Sequence, residues 1–182
     1  MLGATLALID NKDDKQQYTD LYLKYKNYLY KISFSVLHNC AQAEEVVSET
    51  FLKAAINFDK IKLQPCPKIT SYLVILCRNI SINMYNKNKR EYGEDIFDVA
   101  DAVEKTADVD FFEKFDTQLV VEKLKKLPPI YYDTLYFEIV WECSADEIAK
   151  LLNVGVEAVY KRSQRGKKMM RTMLEKEDND NE

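Results

Sequence analysis

Between Tyr18 and Val36 the chain places Tyr18, Tyr22, Tyr25, Leu29, Ile32 and Val36 at alternating steps of four and three residues. That period matches the turn of an α-helix and leaves a single apolar stripe to bury. The pattern recurs downstream. Val46, Val47, Thr50, Phe51 and Ala54 mark a second helix from about Ala41 to Asn57. Leu73, Leu76, Cys77 and Ile80 mark a third, starting near Thr70 as its N-cap. Gln64-Pro65-Cys66-Pro67 lies between these two and reads as a loop, since a helix interior excludes proline. Only four Gly and four Pro occur in 182 residues, too few for a β-sandwich or barrel with its frequent turns. The expected fold class is all-α.

The second half organises itself differently. From Glu91 to Asp116 there are ten acids against Lys105 and Lys114, with weak periodicity, which reads as an acidic linker over residues 91–112. Leu119, Val120 and Leu124 open a new helical unit, broken at Leu127-Pro128-Pro129. Proline suits a first helical turn, so Pro129 can start a helix that runs from Ile130 to about Trp141. Ser144-Ala145-Asp146-Glu147 fits a capping box and precedes Ile148, Leu151 and Leu152. Asn153-Val154-Gly155 forms a tight turn before a last helix, Val156 to about Leu174. Its inward face is Val159, Ser163, Gly166, Met170 and Met173, with Lys161, Gln164, Arg165 and Lys168 opposite. A short helix, a tight turn and a basic helix make a helix-turn-helix. The expected organisation is therefore two small helical domains, 15–90 and 113–174, the linker between them, and an acidic tail at 175–182.

Charge placement decides the partner class. The net charge is −4, yet Lys161 to Arg171 carries six cations and no acid. The five arginines (Arg78, Arg90, Arg162, Arg165 and Arg171) all fall in two short segments. Arginine forks to phosphates and guanine edges in a way lysine cannot, so both segments are nucleic-acid candidates. Cys40, Cys66, Cys77 and Cys143 are scattered and His38 is the sole histidine, which gives no clustered metal set. The cysteines read as buried reduced thiols. No glycine-rich phosphate loop or nucleophile beside a base is present, so no enzyme and no cofactor are expected. The longest apolar stretch, Met1–Ile9, is far below the ~18 residues of a membrane span. A cytoplasmic protein without membrane insertion is the expectation.

Three segments carry a resemblance to bacterial sigma factors of the sigma-70 family, in the compact extracytoplasmic-function group. Glu44 to Ala54 (EEVVSETFLKA) resembles the second conserved region, where an acidic amphipathic helix docks on the clamp coiled coil of RNA polymerase. Ser71 to Asn79 (SYLVILCRN) resembles the start of the promoter-melting helix. Leu127 to Met170 resembles the fourth region with its helix-turn-helix. Together they span most of residues 15–174. Some positions depart from the pattern: Tyr72 replaces a usual Trp, Asn83 a usual Asp, and Asn86 stands near a usual basic residue. Asn153 and Gly155 replace the turn's usual Gly and Ser, and both residues suit those conformations.

The resemblance implies a sigma factor that binds core RNA polymerase, recognises minus-10 and minus-35 promoter elements, and is restrained by an anti-sigma partner. It assigns core polymerase to Glu45, Val47, Ser48, Glu49 and Phe51. Melted minus-10 DNA falls to Arg78, Asn79, Asn83, Lys87 and Arg90, with the loop from Phe58 to Ile69 supplying a base pocket. Minus-35 duplex falls to Tyr160, Lys161, Arg162, Gln164, Arg165, Lys167 and Lys168. Of these, Lys161, Gln164 and Arg165 would face the major groove and the other cations would hold phosphates. The plain alternatives are core-packed aliphatics, an ordinary helix end and a solvated basic face. The competing function is a helix-turn-helix transcriptional regulator acting on duplex DNA without sigma activity.

Overall fold

The computed structural model describes residues 2–92 and 124–179, and no strand occurs among them. These residues belong to two compact units, one through Tyr92 and one from Leu124 onward. The linker beyond Tyr92, the acids from Glu94 to Asp116, and Leu119 and Val120 lie outside the described residues.

In the N-terminal unit, α1 (Leu2–Leu6), α2 (Lys12–Leu37), α3 (Cys40–Ile56), α4 (Phe58–Ile61) and α5 (Cys66–Tyr92) follow in order. Helices α2, α3 and α5 pack mutually. Tyr18, Leu29, Val46, Phe51, Leu73 and Leu76 fill the centre. Aromatic edges interlock there, with Tyr18 meeting Phe51 and Phe58 in T-shaped pairs at 6.3 and 5.4 Å. The buried hydroxyls find partners: Tyr18 Oη donates to the Phe51 carbonyl at 2.7 Å, and Tyr25 Oη pairs with Thr70 Oγ1 at 2.7 Å. The turn from α2 to α3 uses two residues. His38, left-handed at φ 50°, closes α2 by donating its N–H to the Phe34 carbonyl, and Asn39 caps α3 by accepting from Gln42 N.

Several expectations change here. The domain does not begin at residue 15: α1 packs on α2 and α3, and Thr5 and Ile9 are buried. The stretch 58–69 is not simply a loop, because α4 anchors Phe58 and Ile61 in the core. Helix α5 starts at Cys66, not near Thr70. Pro67 stands in its first turn, where no backbone N–H is required, and Pro65 accepts the first turn's N–H bonds from Lys68 and Ile69. Thr70 is a buried helical residue rather than a cap. Lys62 ties α4 to α2 through Asp14 at 2.7 Å.

In the C-terminal unit, α6 (Pro129–Leu135) passes into a π-helical turn (Tyr136–Val140), then α7 (Ala145–Leu152) and α8 (Val156–Asn179). The single helix expected from Ile130 to Trp141 is thus an α-helix that widens into a π turn. The chain leaves it through Glu142 at φ 53°, and Cys143 N–H returns to the Phe137 carbonyl at 3.0 Å. The capping box is present: Ser144 Oγ accepts from Glu147 N, and Glu147 Oε2 accepts from Ser144 N. Asn153, left-handed at φ 54°, ends α7. Helix α8 continues through Asn179, so residues 175–179 extend it instead of forming a separate tail. Exposed Cys40 departs from the expectation of uniformly buried thiols, whereas Cys77 and Cys143 are buried.

Candidate nucleic-acid interface

Helix α8 presents its cations because small residues hold its other side against α6. Val159, Ser163 and Gly166 are buried. A Cβ at Gly166 would lie 2.8 Å from Leu135 Cδ1 and 3.2 Å from Tyr131 Cβ, so glycine is what allows this approach. Opposite, Tyr160, Lys161, Gln164, Arg165, Lys168 and Arg171 are exposed. At 100° per residue they share one continuous face. Lys161 pairs there with Glu157 at 3.9 Å, between exposed groups and so nearly worthless to stability.

Arg162 and Lys167 stand at the two edges of that face. Arg162 is half-buried, and burial pushes its guanidinium below the ordinary value while nearby Asp133 opposes the shift. Lys167 Nζ donates to Glu138 Oε1 at 2.6 Å, and Ser163 Oγ donates to Oε2 of the same carboxylate at 2.6 Å.

On α5, Asn79, Asn83, Lys87 and Arg90 follow at i, i+4, i+8 and i+11, a single stripe that passes from partly exposed to exposed. Arg78 is not on it. Its side chain is 4% exposed, in the stretch of α5 where Leu76, Cys77, Ile80 and Ser81 are buried as well. Asn79 donates its amide to the Ile75 carbonyl at 2.9 Å.

Helix α3 separates its nominated residues in the same way. Phe51 is fully buried and Val47 nearly so. Glu45 is exposed, with Ser48 and Glu49 partly so. Continuing that phase leads to Leu52 at 42% and Ile56 at 67% exposure, so Glu45, Glu49, Leu52 and Ile56 form one outward stripe. Reasoning from the sequence missed Leu52 and Ile56. Counting the helical phase outward from Glu45 would have found them.

Residues 21–91 match the family described as sigma-70 region 2. The chain is also 27% identical over 175 residues to the ECF RNA polymerase sigma factor SigW of Bacillus subtilis (strain 168), covering 90% of this chain and 91% of that protein. Both findings support a sigma factor of the sigma-70 family, in its extracytoplasmic-function group. They likewise support a role in promoter-directed initiation of transcription. The match to region 2 runs from Leu21 in α2 to Glu91 at the end of α5, and so takes in both outward stripes of the N-terminal unit. Among the described residues no helix is long and apolar enough to cross a membrane, and no group of three potential metal ligands occurs.

Proposed function

We propose that this sigma factor divides its labour among three outward faces. The stripe Glu45, Ser48, Glu49, Leu52 and Ile56 on α3 docks on core RNA polymerase, with Val47 and Phe51 supporting it from the core. Asn79, Asn83, Lys87 and Arg90 on α5 hold the melted minus-10 strand, while buried Arg78 braces that helix. Tyr160, Lys161, Gln164, Arg165 and Lys168 on α8 read and clamp the minus-35 duplex. The protein catalyses nothing by itself, and an anti-sigma protein that masks both units fits the likeness to the extracytoplasmic-function group.

The observation that carries this reading is the face of α8. A capped short helix and a left-handed Asn153 set up a second helix whose exposed side is cationic and whose buried side is small. Cations of that kind on a groove-sized helix supply phosphate neutralisation, and Gln164 and Arg165 supply base-edge hydrogen bonding.

The deciding experiment reconstitutes the chain with core RNA polymerase and maps transcripts from a pool of genomic fragments. Initiation at a small set of start sites, dependent on both components, is the expected result. Tight duplex binding without any stimulation of polymerase would overturn the division proposed and favour a regulator that acts on duplex DNA alone.

A further inference from the structure

We infer that Glu138 withholds Lys167 from DNA and fixes the rotation of the reading helix. The inference rests on the minus-35 reading of α8. Glu138 lies in the π turn, and its carboxylate is filled from one side by α8: Ser163 on Oε2 and Lys167 on Oε1, each at 2.6 Å. These donors are one helical turn apart, so a single carboxylate spans a turn of α8 and resists its rotation about its own axis. The Lys167 side chain keeps about half its surface in water, yet its charge already has a partner. Lys168 and Arg165 point away from this carboxylate on the open face.

That difference has a measurable consequence. Each cation that neutralises a duplex phosphate releases condensed counterions and adds about 0.9 to the salt slope of binding. A lysine already neutralised within the protein adds almost nothing. The basic helix therefore carries one cation fewer for DNA than its sequence shows, and Lys167 acts as a positioning residue through Glu138.

The test is a salt titration of holoenzyme binding to a promoter duplex, made with the full chain and core RNA polymerase. Lys167→Ala should leave the slope unchanged, whereas Lys168→Ala should lower it by about 0.9. Glu138→Gln should steepen the slope by about 0.9, since it keeps an acceptor for Ser163 but frees the ammonium. Adding Lys167→Ala to Glu138→Gln should remove that gain. A slope that falls with Lys167→Ala alone, or one that does not respond to Glu138→Gln, overturns the inference. The two Lys arms leave Glu138 untouched, so they decide the matter even if the Glu138 variant folds poorly. Failure of the minus-35 reading itself has a different signature: Arg165→Ala and Lys168→Ala would also leave the slope unchanged.

Discussion

Gly166 offers the sharpest test of how α8 is seated. An added Cβ would meet Leu135 Cδ1 at 2.8 Å, Tyr131 Cβ at 3.2 Å and Leu135 Cγ at 3.3 Å. Leu135 is fully buried, so its methyl has nowhere free to turn. Tyr131 Cβ is fixed to the α6 backbone. Overpacking of this kind costs about 1–3 kcal/mol. Alanine in place of glycine inside a helix returns about 1 kcal/mol in propensity. Gly166→Ala should therefore destabilise the C-terminal unit by up to ~2 kcal/mol, a drop of several degrees in Tm. Trp141 is the chain's single tryptophan and lies in this unit, so its fluorescence in a urea titration reports the relevant transition. In a Leu135→Ala background the two Leu135 contacts are gone and Tyr131 Cβ alone stays close, so the same change should cost less. A Gly166→Ala protein more stable than the parent would refute the argument that α6 and α8 are held at their closest approach.

Removing the N-cap of α7 by Ser144→Ala should cost about 1 kcal/mol, read in the same Trp141 titration, because the hydroxyl and the Glu147 carboxylate satisfy each other's backbone donors. High pH should weaken the N-terminal unit. Burial raises the Cys77 thiol from 9.0 to about 12 and the Tyr18 phenol from 10.0 to about 12. Above pH 9 the unfolded chain then sheds protons that the folded chain retains, and stability falls as pH rises toward 12. Denaturation midpoints measured from pH 8 to 11 check the direction, and native-state alkylation should modify Cys40 while sparing Cys77. On α3, Leu52→Asp with Ile56→Asp should weaken polymerase binding in a pull-down at unchanged thermal stability, while Phe51→Ala should cost about 3–5 kcal/mol of folding free energy.

What the sequence made legible was periodic or chemically explicit. The stripe from Tyr18 to Val36 became α2 with Tyr18, Tyr25, Leu29, Ile32 and Val36 inward, and the capping box at Ser144 and Glu147 formed as its spacing required. What it hid depended on tertiary partners. Helix α1 is too short to announce itself and exists by packing on α2 and α3, with Thr5 buried. The start of α5 was obscured by reading Pro67 as a breaker, although a first turn asks for no N–H there. The π turn has no sequence signature, since it inserts a residue for the sake of the exit through Glu142 and Cys143.

The nominated residues failed or survived by helical phase. A resemblance selects a run of consecutive residues, but a helix shows only about half of any run to a partner. Val47, Phe51 and Arg78 fall on the packed half and transmit position, while Glu45, Asn83 and Lys87 reach the surface to greater or lesser degree. On α8 the same geometry goes further. Its reading face ends where α6 and the π turn supply acids: Asp133 acts on Arg162 along one edge and Glu138 bonds Lys167 along the other. Between those edges no scaffold carboxylate competes for Arg165 or Lys168 in the bonds described. In the reading proposed above, the width of the DNA-binding surface is thus set by α6 and the π turn, through Glu138, which bonds Lys167, and Asp133, whose charge acts on Arg162.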